Sequence, residues 1–511
     1  MTGKAKSRFQ TLDANRRASL NRSRECADLT LPALLPPDGH NETQGLPTPY
    51  QSLGARAVNN ISSKLLLALF PPGTSFARLT ANPTILERIG VGENDERVVE
   101  ALRRVEGLVM REIENGPVRN ALFVTLKLLA TTGDACLYLP RKDDPQVFRK
   151  DQYVIVRDAS GKIIEAAIKE TVAPETLTPE VMAACGVAPK GDNPGEPKSV
   201  DIFTHIKRDG AYMDYWQEIN EIEVPGTRGR RRDYECPYLF LRWSASPGES
   251  YGRGLVEEYL GDLRSLEGLT KAVVKFSAAV SKIVFLMHPN SVTDEDALVE
   301  AESGDFVTGR REDIDVLQIE KFADFQVAKA TIDDITLRLS HAFLLQSGTI
   351  RDAERVTAEE IRAMAQELED VLGGVYTMLG ETLQLPLVQR ILANLREDGR
   401  LSQMSAGVGG EAVLEPRIIT GFDALGRGHE LNRFRAAFQD LVGFVGPEEA
   451  IDMLDSGRVA VMLQQKHNVD LVSLMKDPET RENEANQRQM AAMAEKAAGP
   501  AAGALARGGM E

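Results

Sequence analysis

The sequence predicts an α+β fold that is mostly helical, and three observations carry that reading. Apolar side chains at Val256, Tyr259, Leu263, Leu266, Leu269, Val273, Phe276, Val280, Ile283 and Met287 advance in steps of three and four, which keeps one helical face apolar. DIFTHIKRDGAYMDYWQEI instead alternates by twos around Asp209-Gly210, a β-hairpin signal. Helical spacing recurs through much of the remaining chain, interrupted by short strand-like runs. No proline lies between Leu255 and Met287, so one helix of about 50 Å is predicted there at 1.5 Å per residue. Gly261 and Gly268 share a face of it and admit a neighbouring backbone, while Leu263, Phe276 and Val280 belong to its apolar face. Such a helix packs along its length, a second copy of the chain being one partner.

Before that helix, residues 5–29 read as a helix that Thr30, Pro32, Pro36, Pro37 and Gly39 end. SLGARAVNNISSKLLLALF places Leu53, Val58, Ile61, Leu65 and Leu69 on one side and stops at Pro71 and Pro72, as a core helix does. Helices follow over 93–116 and 117–131, then strands at Ala135–Pro140 and Tyr153–Arg157, the latter turning back through Asp158–Gly161. A short helix over Pro179–Cys185 gives way to GVAPKGDNPGEPK, which marks a boundary. The hairpin and a strand at Tyr238–Trp243 form a small β-rich module. Between its strands lies the densest positive charge of the chain, Arg228, Arg230, Arg231 and Arg232, either a solvated loop or a contact for phosphate or an acidic partner.

After the long helix, Asp305–Thr308 and Asp315–Ile319 read as strands. Two helices then carry Phe325, Ile332, Ile335, Leu339 and Phe343, and Ile361, Met364, Leu368, Val371, Val375 and Met378, the second opening with a capping box at Thr357-Ala-Glu-Glu360. Gln346–Val356 between them, with Gly348, Arg351 and Arg355, has little to bury and reads as a mobile loop. Pro386 interrupts or ends the second helix, and Arg417–Thr420 reads as a strand. Helices fill 428–475, and the Ala-, Gly- and Gln-rich residues from Pro478 cannot build a core.

With 511 residues the chain has ample length for a core. Seventy-six acidic against 60 basic residues, a net charge of -16, oppose general adhesion to nucleic acid or anionic membranes and confine any DNA contact to local patches. Cys26, Cys136, Cys185 and Cys236 are too scattered for a disulfide framework or a zinc site. The apolar run Leu65–Phe70 is far short of the ~20 residues that cross a bilayer, so no membrane anchoring or export is expected.

One catalytic pattern occurs, G-x-S-x-G at Gly248–Gly252, but Ser244–Pro247 separate it from the strand an elbow should leave directly. A helix start with Ser250 as N-cap competes with a serine hydrolase using Ser250. No G-x-x-x-x-G-K-[ST] or H-E-x-x-H is present, and the six histidines lack ligand spacing, so no cofactor, metal or catalytic residue is expected.

Long segments in order, YQSLGARAVNNISSKLLLALFPPGTSFARLT, GESYGRGLVEEYLGDLRSLEGLTKAVVKFSAAVSK, SGDFVTGRREDIDVLQIEKFADFQVAKA and ERVTAEEIRAMAQELEDVLGGVYTMLGETLQLPLV, closely resemble the portal, or head-to-tail connector, proteins of short-tailed bacteriophages. The resemblance implies a portal fold assembling as a ring, usually dodecameric, and a structural conduit rather than an enzyme. It assigns residues 1–170 to the wing, 171–186 to a first stem helix, 187–245 to the clip and 246–287 to the second stem helix. Residues 288–427 complete the wing, with 346–356 as the channel or valve loop, 428–477 form the crown and 478–511 a disordered tail. Implied partners are copies of the chain, capsid and scaffolding proteins, the packaging terminase, then the tail adaptor, and double-stranded DNA read without sequence specificity. The implied location is the virion head-tail vertex, with host cytoplasm during assembly; related tail adaptors are usually much shorter. Arg351 and Arg355 are candidate DNA contacts, with pairing to Asp352 and Glu354 as the alternative, and the Arg228–Arg232 cluster is a candidate contact for motor or adaptor.

Overall fold

The computed structural model describes residues 5–41, 43–72, 75–81, 96–114, 116–187, 199–280, 284–287, 289–291, 294–317, 322–345, 367–368, 370–401, 414–418, 438–444 and 446. The chain divides into two compact units, Met1–Ala424 and Leu425–Glu511. In the second, residues 438–444 are helical.

The first unit opens with α1 (Ala5–Asn15) and α2 (Arg17–Asp28) rather than one helix. The break falls at Arg16, whose buried guanidinium donates to the carbonyls of Lys150, Tyr153 and Asp151. The core helix α3 (Leu53–Leu69) buries Val58, Ile61, Leu65 and Leu69. β1 (Ala77–Ala81), α4 (Glu96–Glu114) and α5 (Val118–Thr132) follow, and α5 ends at Gly133 in the left-handed region. Next come β2 (Asp134–Tyr138), β3 (Gln146–Phe148), β4 (Tyr153–Arg157), β5 (Ile163–Val172) and α6 (Pro179–Cys185).

Strands β6 (Val200–Asp209) and β7 (Tyr212–Ile219) form the expected hairpin, closing Asp209 on Tyr212 with Gly210 at φ 61°. β8 (Ile222–Glu223), β9 (Gly229–Arg232) and β10 (Tyr238–Arg242) complete this part. One sheet runs β4-β5-β6-β7-β8 with β9 also on β7, so it includes strands from both sides of the glycine- and proline-rich stretch after Cys185. β10 leaves that sheet and pairs with β2, which also pairs with β3.

The long helix is the largest departure from expectation. It consists of α7 (Leu255–Glu258), a break at Tyr259 and α8 (Leu260–Val280), and Val284–Met287 is strand β11 instead of its last turn. β11 pairs with β12 (Ile314–Leu317), with α9 (Glu295–Glu300) between them. A short continuous apolar run fits strand or helix equally, and the ladder partner lies too far along the chain for periodicity to choose. Asp305–Thr308 is irregular, and only the second of those two expected strands forms. α10 (Phe322–Ala342) runs back beside α8. Beyond it are α11 (Gly374–Leu379), a π-helical turn over Gly380–Gln384, and α12 (Leu385–Glu397), whose first turn holds Pro386 where no intrahelical N–H is needed. β13 (Leu414–Ile418) returns to pair with β1. The main core joins side chains of α3, α5, α8, α10 and α12, including Leu122, Leu126, Leu263, Leu339 and Leu387.

Candidate functional site

The arginine cluster is a strand, not a loop. Gly229–Arg232 pairs with Tyr212–Tyr215, because the alternating strand β7 offers a free ladder there and Gly229 leaves space for the Tyr215 ring, which a Cβ would meet at 2.2 Å. Arg230 and Arg232 are exposed, Gly229 and Arg231 half-buried. Carboxylates face most of these charges. Arg228 donates to both oxygens of Glu223 at 2.8 and 2.6 Å, Arg230 lies 2.7 Å from Asp209, and Arg231 lies 3.1 Å from Glu397 on α12. The hydrogen bond from Arg228 lowers the Glu223 pKa, and the one that Arg232 donates to the Tyr234 hydroxyl is the main cause raising its own. Arg228 stacks 5.0 Å over the Trp216 ring and Arg230 4.9 Å over Tyr212. The five-residue run thus presents an ordered arginine and aromatic ladder whose charge is largely met within the chain. Sequence could not show those partners, since three of them come from the hairpin turn, β8 and α12.

Ser250 does not cap a helix; Gly254 holds the N-cap position of α7. The Ser250 hydroxyl accepts the Arg157 backbone N–H at 3.3 Å, and Arg157 Nε donates to its carbonyl at 3.2 Å. Burial, then the charge of Arg242, pulls the Arg157 pKa down to about 10. Among the described residues no imidazole bonds to Ser250, so the nucleophile, base and orienting acid of acyl transfer are not assembled there. The segment serves instead as a seam. A Cβ on Gly133 would lie 2.6 Å from Gly254 N, one on Gly252 2.6 Å from Gly133 O, and one on Gly254 2.7 Å from Ala130 O. Beside this seam Lys150 Nζ sits 2.7 Å from Asp134, both buried, and donates to Ser23 and to the Thr132 carbonyl at 3.0 Å.

Gly348, Arg351, Arg355 and the Thr357 capping box lie outside the described residues, but the flanks of that stretch are fixed. Leu344, at φ 56°, presents its carbonyl to Lys64 Nζ at 2.9 Å and to Asn60 at 3.0 Å. Lys64 also reaches Glu367 at 3.2 Å, so one buried ammonium holds both flanks to α3. Sequence reasoning passed over Asn60 and Lys64; a lysine inside the apolar run SSKLLLALF was the available signal. In α8, Leu263 is buried and Phe276 half-buried with its ring 6.2 Å from Phe325, whereas Gly261 and Gly268 are exposed, with no atom of the described residues beyond their own helix within 4 Å of a would-be Cβ. Among the described residues no backbone makes the close approach expected at those glycines. The side chain of Val280 lies outside the description.

These features fix helix ends and strand edges. Residues 2–471 match the family described as bacteriophage head to tail connecting protein. The chain is 42% identical over 437 residues to the portal protein of Enterobacteria phage T3, covering 84% of this chain and 80% of that protein. It is likewise 42% identical over 439 residues to the portal protein of Escherichia phage T7, with the same coverage. A solved gene transfer agent neck is 14% identical over 81% of this chain and 90% of its own, at a TM-score of 0.34 too low to carry an argument. The chain belongs to the bacteriophage head-to-tail connecting protein family, as its resemblance led one to expect.

Proposed function

We propose that this chain is the subunit of a portal ring at one capsid vertex, through which double-stranded DNA enters during packaging and leaves at ejection. The observation that carries this is the family match across residues 2–471, together with relatives named as portal proteins over most of their length. In this reading residues 187–245 are the clip, 246–287 the second stem segment, 171–186 the first, 428–477 the crown, and the remainder up to 427 the wing. The ring contacts capsid and scaffolding proteins, then terminase, then the tail adaptor, and acts without catalysis. A ring repeats each lumen charge once per subunit, so a chain of net charge -16 supports an acidic wall along which DNA slides, its phosphates screened beyond ~8 Å. Native mass spectrometry with negative-stain imaging is expected to find a ring of about a dozen subunits with a central hole, by the closed symmetry usual for head-to-tail contacts. A species that stays monomeric alone and with scaffolding protein would reject it.

Two contacts follow from this reading. The arginine ladder of β9 binds an acidic surface of motor or adaptor by exchanging Glu223 and Asp209 for partner carboxylates, since exposed ion pairs are each worth only about 0.2–1 kcal/mol. Arg228→Glu with Arg230→Glu should leave rings intact and block one docking step; normal docking of both partners would refute the contact. Arg351 and Arg355 touch DNA in the channel. Arg351→Ala with Arg355→Ala should lower DNA retention in filled heads, and unchanged retention would remove them from the channel.

A further inference from the structure

We infer that the paired guanidinium groups of Arg157 and Arg242 form a binding site for a phosphate-sized oxyanion, a site apart from the arginine ladder of β9 and independent of the portal reading. Arg157 is the last residue of β4 and Arg242 the last of β10, and the turn from β4 to β5 brings them together at Gly161. Arg157 Nη1 donates to the Gly161 carbonyl at 2.9 Å, and a Cβ on Gly161 would lie 2.9 Å from Arg242 Nη2. Backbone carbonyls hold the pair from behind. Arg157 Nη2 donates to Phe240 O at 2.9 Å and its Nε to Ser250 O at 3.2 Å, while Arg242 Nη1 donates to Glu249 O at 3.2 Å.

Two like charges are thus set side by side by neutral acceptors. Among the described residues no carboxylate bonds to either guanidinium, and the acids around them are engaged elsewhere. Glu249 turns its side chain to Arg253 at 3.0 Å, Asp158 accepts the Ser160 hydroxyl at 2.7 Å and the Lys162 N–H at 2.8 Å, and Asp134 is held by Lys150 and the Gly252 N–H. The Arg157 pKa, lowered by burial and then by the Arg242 charge, reflects that arrangement. Such a pair repels until an anion joins it, and guanidinium forks bind phosphate oxygens through parallel N–H bonds. The donors for this remain, since Arg242 Nε and Nη2 and the second N–H of each Arg157 Nη have no acceptor among the described residues. Arg242 is half-buried beside the exposed turn residues Ala159 and Ser160, so an anion can reach it from solvent. The surroundings select a small anion over a strand of nucleic acid. A strand needs cations repeated along its path, whereas Ala245–Gly248 carries no charge and the adjoining turn carries Asp158 beside Lys162. Once bound, the anion ties the β4–β5 turn and the end of β10 to the loop that leads into α7.

Equilibrium dialysis of the full chain against radiolabelled inorganic phosphate, at constant ionic strength, is expected to show saturable binding of one phosphate per chain. Arg242→Met should weaken it by roughly tenfold or more, because a charged fork is lost. Arg242→Lys keeps the charge without the fork and should fall between. Circular dichroism checks that both variants fold. In the wild type, phosphate should also protect Arg242 from phenylglyoxal, read by peptide mass spectrometry, a measurement that needs no substitution. Adenosine diphosphate should displace the label no better than phosphate itself; displacement at tenfold lower concentration would show that the phosphate group enters as an ester at the same arginines. Absence of saturable binding by the wild type overturns the site. So does equal binding by a folded Arg242→Met, or, if that variant does not fold, failure of phosphate to protect Arg242.

Discussion

Lys150→Met is expected to lower the unfolding free energy by about 3–5 kcal/mol at neutral pH, because it strands the buried Asp134 carboxylate without its cation. All three ammonium donors are engaged in the native chain, by Asp134, Ser23 and the Thr132 carbonyl, and Asp134 also accepts the Gly252 N–H at 2.8 Å. Burial raises the Asp134 pKa, with Lys150 and the Gly252 N–H pulling it back. A carboxyl raised by folding contributes its stability below its unfolded pKa, near 4, and loses it as the pH rises through the folded value. Removing Lys150 lifts that folded value further. The gap between variant and wild type should therefore be widest at neutral pH and narrow as the pH falls through the variant's raised folded value. Adding Asp134→Asn should recover much of the loss, since no charge is then left unpaired. Urea unfolding followed through Trp243, which is fully buried in the core, reads the effect. A loss that did not vary with pH would mean that the pair is not ionised in the fold.

Local periodicity made much of this fold legible. The hairpin around Asp209-Gly210, the helices from Glu96 to Thr132 and the short helix Pro179–Cys185 all declare themselves by spacing and by turn residues. Order along the chain also made the family legible, because long matching segments are far more specific than a five-residue motif. What stayed hidden depended on partners distant in sequence. Val284–Met287 is a strand because Ile314–Leu317 returns to it, and Gly229–Arg232 is a strand because β7 has an edge to spare. The same limit applies to charge. Five residues with four arginines read as a positive patch, yet Glu223, Asp209 and Glu397 reach them through the fold. Lys64 and Lys150 are buried cations whose role is fixed only by carbonyls and carboxylates contributed from elsewhere. G-x-S-x-G is the opposite case: Gly252 is required by a seam between backbones and Gly248 only by its left-handed φ, neither by a nucleophile.

That seam gives the sharper mutational test. Gly133 and Gly248 both sit at φ 81°, so an alanine at either carries the same left-handed strain, about 1–2 kcal/mol. Around Gly248 no atom of the described residues lies within 4 Å of the added Cβ, and Gly248→Ala should show that strain alone. At Gly133 the Cβ would lie 2.6 Å from Arg253 C and Gly254 N and 2.7 Å from Gly252 O, all backbone atoms that cannot rotate away. The strand beyond is tied in as well, since the Gly133 carbonyl accepts the Trp243 N–H at 2.9 Å. Gly133→Ala should therefore cost about 3 kcal/mol or more, the clash adding to the strain. Trp243 adjoins the seam, so the urea midpoint read from its fluorescence should fall much further for Gly133→Ala than for Gly248→Ala. Equal shifts would mean that α7 moves away from the end of α5 at little cost. The seam would then be a hinge between α7 and the core helix α5, rather than the fixed joint that its contacts describe.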